Sequence, residues 1–312
     1  MTPPIAPSER KRIAIVGSAG RLGGSLVKLL EKDHAVIGLT RKQLDLGCAE
    51  SISKALEPLD YDLLILAGAL TGVDYCETHE QEAHLLNAEA PRRIAGISAE
   101  KGAHVTYVST DMVFNGAKPE PYIETDPTDP ISVYGASKLA GEEHVLDASA
   151  KNLVVRVSWL FGPGKPAFPE WIVDKACAEE KLTLPGNKIC CPSYSIDLVR
   201  NLMALLFEMN GNPASGVFHL CNSQPCTWRD WGQFCIDTAR EAGLPVIADE
   251  IEGVPVESVA AFVAKRPHNT AMSTEKFTNA TGIRPRHWKD AIFEFLLQSD
   301  SFRKYHQLQK AE

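Results

Sequence analysis

The chain has 312 residues and a formal net charge of −8, with 44% hydrophobic and 23% charged residues. That composition is ordinarily globular, at a length for one large domain or two modest ones, and it excludes a disordered or fibrous protein. The acidic balance argues against nucleic-acid or membrane-surface binding, because no basic excess exists to neutralise phosphates. No apolar run approaches the roughly 20 residues of a membrane helix; the longest, Leu63 to Leu70, is strand-sized. Eight cysteines without a Cys-x-x-Cys pair read as free thiols in a reducing cytoplasm.

Residues 1–10, with three early prolines and no charged-then-apolar leader pattern, read as a disordered tail. Ile13-Ala14-Ile15-Val16 predicts the first strand, Leu22 to Lys32 a helix, and Ala35 to Leu39 the second strand. Leu63 to Leu66, Val105 to Val108 and Leu153 to Val157 predict three more strands. These runs are continuously apolar, as strands covered on both faces require. Their alternation with helices predicts an α/β fold, a Rossmann-type doubly wound parallel sheet, over residues 11–160. After the loop signal Gly162-Pro163-Gly164-Lys165-Pro166, helices are expected around Trp171 to Glu180 and Ile196 to Met209. A strand near residues 216–221 is expected to return to the main sheet. The rest of residues 161–312 reads mainly as a smaller C-terminal substrate-binding lobe, over the sheet edge where such folds bind ligands.

Gly17-Ser18-Ala19-Gly20-Arg21-Leu22-Gly23 stands between the first strand and the first helix, with Gly-x-x-Gly-x-x-Gly spacing. Gly17 suits a tight turn, Gly20 a close approach to a pyrophosphate, and Gly23 the packing of helix on strand. The helix N-terminus supplies free N–H groups and partial positive charge to phosphates, so the turn predicts a dinucleotide. The second strand ends Leu39-Thr40-Arg41-Lys42, without the acid that would grip the ribose of NAD. Arg41 and Arg21 suit a 2′-phosphate, because guanidinium forks onto phosphate oxygens, and this favours NADPH. Asp45 and Leu46 are expected to line the adenine.

Tyr134-Gly135-Ala136-Ser137-Lys138 puts a phenol and an ammonium four residues apart, on one helix face. Such an ammonium is expected to draw the phenol's pKa down from about 10. The tyrosine could then hand a proton to a carbonyl oxygen. Ser109-Thr110-Asp111 ends the fourth strand, where a hydroxyl can hold that carbonyl.

Together these motifs resemble the extended short-chain dehydrogenase/reductases. Longer stretches sharpen the match: Val108 to Phe114, Glu124-Thr125-Asp126-Pro127, Val133 to Glu142, Arg156-Val157-Ser158-Trp159 and Lys265 to Thr270 look like the dTDP-4-dehydrorhamnose reductase family. The similarity runs from about Arg12 past Phe277. The resemblance implies NADPH-dependent reduction of a nucleotide-linked 4-keto sugar. In it Tyr134 is the proton donor, Lys138 tunes it and holds the nicotinamide ribose, and Thr110 holds the keto oxygen. Ala67, Gly68 and Ala69 pass beneath the cofactor, while Asp111, Met112, Trp159, Arg266 and Asn269 belong to the substrate side. Two departures stand out: Met112 where the family usually has tyrosine, and Asn269-Thr270-Ala271-Met272 where it usually reads Asn-Ser-Arg-Leu. Expected partners are a nucleotide-sugar substrate and, as the assembly considered, a homodimer. A requirement for Mg2+ leaves no mark on the sequence.

Two other readings share the scaffold. The NADP-binding regulatory subunits of methionine adenosyltransferase resemble the same family without catalysing the reduction, and nucleotide-sugar epimerases recycle their cofactor. Ser158-Trp159 favours a reductase over the regulatory role. His79 and His84 have one residue too many for a zinc-protease helix; five residues put them about 140° apart. Ser51-Ile52-Ser53-Lys54 lies in a polar helical segment and reads as solvated. Trp228 and Trp231 read as lobe core, and Asn87 as either a structural or a catalytic asparagine.

Overall fold

A computed structural model describes residues 10–207, 212–299 and 302. The tail expectation for residues 1–9, and Met209 at the end of an expected helix, lie outside the described residues. In chain order the elements are β1 (Arg12–Val16), α1 (Arg21–Leu30), β2 (Ala35–Leu39), α2 (Ala49–Leu56), β3 (Leu63–Leu66), α3 (Val73–Thr78), α4 (Glu80–His84), a π-helical stretch (Leu85–Glu89) and α5 (Ala90–Glu100). Then come β4 (His104–Thr110), a 3-10 turn (Asp111–Val113), α6 (Val133–Ala148), β5 (Leu153–Val157), β6 (Leu160–Phe161), α7 (Phe168–Ala178), β7 (Leu182–Pro185), β8 (Ile189–Cys190), β9 (Ser193–Tyr194) and α8 (Ser195–Phe207). The chain continues with β10 (Gly216–His219), β11 (Cys226–Thr227), α9 (Trp228–Glu241), β12 (Ile251–Val254), a second 3-10 turn (Val256–Ser258), α10 (Glu275–Thr281) and α11 (Trp288–Gln298).

Six parallel strands form the main sheet in the order β10-β5-β4-β3-β1-β2. Side chains alternate across a strand, so each strand feeds two cores. Ile13, Ile15, Leu63, Ile65 and Val155 pack with Leu26 of α1 and Val199 and Leu202 of α8. Ala14, Val16, Leu64, Leu66 and Val154 pack on the other face with Ile52, Ile94 and Val145. Burial on both faces is what the unbroken apolar runs require. A third core, with Phe161, Ile172, Trp231, Tyr194, Trp288 and Phe295, belongs to the C-terminal half. Three two-stranded ladders stand outside the main sheet: β11-β8, β12-β7 and β6-β9. No helix of the described residues is long and apolar enough to cross a membrane.

Candidate active site

The carboxyl ends of β1, β3, β4 and β5 open onto a cleft of about 770 Å³, closed from above by residues of the C-terminal half. Its floor is the glycine turn. Gly17 has φ of +85°, and a Cβ there would stand 2.5 Å from the amide nitrogen of Gly68. The turn after β1 and the turn after β3 therefore touch backbone to backbone, which only glycine permits. Gly20 caps α1 without any side-chain hydrogen bond, and the helix's first residues, Arg21 and Leu22, face the cleft with it. A dinucleotide pyrophosphate fits this floor. Ala67, Gly68 and Ala69 line the next stretch of wall with minimal side chains. Beside them the buried Ser109 hydroxyl has no hydrogen-bond partner among the described residues.

Arg21 lies on the wall, but its guanidinium donates to the carbonyl oxygens of Gly162, Lys165 and Pro166. It fastens α1 to the loop after β6. Arg41 lines the cleft with its side chain 85% exposed, and its only ionic neighbour among the described residues is Asp45 at 3.9 Å. Asp45 and Leu46 stand behind the wall, with Leu46 against Gly68 and Asp45 beside Arg41. The Asp45 carboxylate accepts from the amide of Gly47 at 3.0 Å to shape the turn into α2, and Leu46 packs against the sheet core. Local turn chemistry claims the acid before a ligand can.

On α6, Tyr134, Ser137, Lys138, Gly141, Glu142 and Val145 are buried. They form a stripe at helical spacing, yet most are polar, so the face is not built for hydrophobic packing. Each polar member is held. Ser137 donates to the carbonyl of Tyr134 at 2.9 Å, and Glu142 takes a two-pronged ion pair from Arg156 of β5, its closest approach 2.7 Å. Lys138 donates to the carbonyl of Val108 at 2.7 Å, with its ammonium 3.8 Å from the centre of the Tyr107 ring. Gly135 brings the helix down on the strand end, since a Cβ there would overlap the carbonyl oxygen of Met112.

Tyr134 and Thr110 meet at the centre. Burial raises the phenol above the usual tyrosine range, opposed by the neighbouring Thr110 hydroxyl. Lys138 does not act on the phenol here, which corrects the expected downward pull. Its ammonium is engaged by Val108 and Tyr107, and burial brings its own pKa down to about 7, opposed by Glu142. The phenol is therefore protonated here, and as a weaker acid than free tyrosine it needs a cation brought beside it to donate readily.

Asn87, inside the π-helical stretch, is fully buried. Its carbonyl oxygen accepts from the amide of Leu70 at 2.9 Å, while its amide donates to the carbonyl of Leu70 at 3.0 Å and to Ser137 at 3.1 Å. It clamps the loop after β3 to the helix that carries Tyr134. A π-bulge often marks such functional positions.

The opposite wall is aromatic and charged. Trp159 has φ of +27°, a conformation rare outside glycine that costs energy and persists only under external constraint. Its ring meets Trp228 edge-on at 4.1 Å. Trp228 therefore belongs to the cleft wall, whereas Trp231 is core as read from sequence. Asp111 accepts from Ser158 at 2.7 Å and from Thr110 at 3.1 Å, and Met112 packs against Tyr134. Arg266 reaches the cleft while donating to Asp74 at 2.6 Å. Asn269 stands behind this wall. Its amide donates to the carbonyls of Lys118 and Pro119, and its oxygen accepts from the amide of Ala271. Lys188, Cys190 and Phe262 complete the wall without having been signalled by any motif. Among the described residues no group of three His, Cys, Asp or Glu could hold a metal ion.

A doubly wound sheet, a glycine turn with an open helix N-terminus, and a phenol beside a hydroxyl at a strand end define a dinucleotide-dependent oxidoreductase of the extended short-chain type. The model of the RmlD substrate binding domain matches residues 11–301, and the chain belongs to that family. It is 31% identical to the spore coat polysaccharide biosynthesis protein SpsK of Bacillus subtilis, over 93% of this chain and 98% of that protein. It is 29% identical to the dTDP-4-dehydrorhamnose reductase of Escherichia coli, over 91% of this chain and 96% of that one. The crystal structure of the Bacillus anthracis dTDP-4-dehydrorhamnose reductase in complex with NADP superposes with a TM-score of 0.85 at 26% identity, covering 93% of this chain and all of that one.

Proposed function

We propose that this protein reduces the 4-keto group of dTDP-4-dehydro-L-rhamnose with NADPH, giving dTDP-L-rhamnose. The observation that carries this reading is the Tyr134 phenol set beside the Thr110 hydroxyl in one cleft, over a floor shaped for a dinucleotide. NADPH supplies the hydride. The bound NADP of the Bacillus anthracis relative supports the cofactor assignment. Thr110 orients the keto oxygen and Tyr134 gives it a proton. Lys138 holds the nicotinamide ribose, and binding there would turn its ammonium from Val108 toward the sugar. Gly17, Ala19, Gly20, Leu22 and Gly23 cradle the pyrophosphate, and Arg41 takes the 2′-phosphate. Trp159 walls the deoxysugar, with Asp111, Met112 and Arg266 around it. Eight free cysteines support a reducing, cytoplasmic setting.

The test is a panel of nucleotide 4-keto sugars assayed for NADPH oxidation. The expected outcome is stoichiometric oxidation, fastest with dTDP-4-dehydrorhamnose. Epimer formation without net NADPH consumption would overturn the reductase reading. Stoichiometric association with a second protein and no turnover would favour the regulatory one.

A further inference from the structure

The cleft contains a second buried lysine that the proton transfer does not use. Lys188 precedes β8, is 2% exposed, and lines the wall with Cys190, Trp228 and Arg266. Its ammonium donates to the hydroxyl of Thr270 at 2.8 Å and, more weakly, to the carbonyl of Ile189 at 3.3 Å. Both acceptors are neutral. The two cations of this wall thus differ: Arg266 is matched by Asp74, whereas Lys188 has no carboxylate within ion-pair distance among the described residues. Asp111 attracts it from farther away, with oxygens that already accept from Thr110 and Ser158. An ammonium has three donors, and two are engaged here. Burying a charge without its counter-charge is costly, so the residue is not there for stability. Burial pushes the ammonium below the usual lysine range, which is the mark of that missing partner.

We propose that Lys188 is a substrate-holding residue whose remaining N–H donates to an oxygen of the diphosphate joining sugar and nucleoside. The inference rests on the nucleotide-sugar reading above, in which the diphosphate is the substrate's permanent anion. Thr270 fixes the ammonium in place, and its burial makes the charge-assisted bond strong. Arg266, already neutralised, shapes the wall around it.

The test is calorimetric titration of the NADPH-loaded protein with dTDP, native against Lys188→Met. The expected result is a dTDP Kd raised about tenfold or more, the loss of one buried charge-assisted bond. NADPH affinity stays within about twofold, and the melting temperature is no lower, because a buried charge has been removed. A dTDP Kd within about twofold of native overturns the proposal. So does a loss confined to the KM of the keto sugar, which would put Lys188 on the sugar instead. If the methionine variant loses NADPH binding, Lys188→Gln, which keeps a donor for Thr270, gives the same readout. A native protein that binds dTDP but reduces no keto sugar sinks the proposed reaction and leaves Lys188 standing. One that reduces the sugar while the variant binds dTDP normally sinks Lys188 alone, and one that does neither sinks both.

Discussion

The two walls of the cleft are made differently. The sheet side is backbone and small residues at the ends of long parallel strands: Gly17 against Gly68, Ala67 and Ala69, then Thr110 closing β4. Three two-stranded ladders and the lobe core carry the other side, which presents large aromatic and charged groups: Trp159, Trp228, Lys188 and Arg266. A rigid sheet edge fixes positions to the accuracy that proton transfer needs, whereas short ladders let a wall vary with its ligand. On the proposed reaction, the difference assigns chemistry and cofactor to the scaffold and choice of substrate to the lobe. Tyr134 is the joint, on the helix that Gly135 presses onto the strand end.

The hardest test of that division is Tyr134→Phe. Loss of the proton donor is expected to lower kcat by about 10² to 10⁴-fold. NADPH affinity, measured by fluorescence titration, should change by less than about threefold, because the phenol acts on the substrate oxygen. A parallel collapse of cofactor binding would show that the sheet side does not work as an independent unit.

Next in size is Arg41→Ala. With Arg21 tied to the loop after β6, Arg41 is the remaining guanidinium at the end of β2 that can meet a 2′-phosphate. Its removal should raise the NADPH KM about tenfold while leaving the NADH KM nearly unchanged; exposure and salt screening hold the effect to that range. Equal losses with both cofactors would put Arg41 on the adenine instead.

Lys138 gives the third contrast, in stability. Its pKa of about 7 in the folded chain lies well below the unfolded value of about 10.4. Between those limits the unfolded chain holds a proton that the folded one has shed. Stability of the cofactor-free protein should therefore rise with pH across that window, by at most about 1.4 kcal/mol per unit. Below pH 7 the contribution is flat, since both states are protonated. Urea unfolding at several pH values should give a flatter profile for Lys138→Met, and equal slopes would mean that Lys138 is not desolvated.

How far the sequence carries the reader follows the same division. Unbroken apolar runs such as Leu63 to Leu66 announce strands buried on both faces, and the glycine spacing announces the turn, because both signals are local. Lys188 and Phe262 were silent, and Trp228 read only as lobe core. Lys188 and Trp228 meet at the β11-β8 ladder, two residues long, where no periodicity survives, and Phe262 joins them through the Trp228 ring. For a related reason the contacts of Asn269 could not be read. It sits in a stretch that resembles the family's substrate motif, yet its amide and oxygen are taken by the loop at Lys118 and by Ala271. The direction of Lys138 could not be read either, since four-residue spacing sets the face of a helix but not where a long flexible side chain ends.

The smallest expected effect separates a sequence expectation from the geometry at the floor's rim. An acid at position 45 next to a cofactor could hold the adenine or the ribose, and its loss would then weaken binding at least tenfold. Here the Asp45 carboxylate accepts from Gly47 and stands 3.9 Å from the exposed Arg41 guanidinium. An exposed pair of this kind contributes about 0 to 1 kcal/mol, and part of that is regained when the freed arginine turns to a phosphate. Asp45→Ala should therefore change NADPH affinity by less than about threefold, with any shift toward tighter binding. Stability should fall by about 1 kcal/mol through the lost turn bond. Tenfold weaker NADPH binding would return Asp45 to the cofactor site and move the boundary of the scaffold wall outward by one turn.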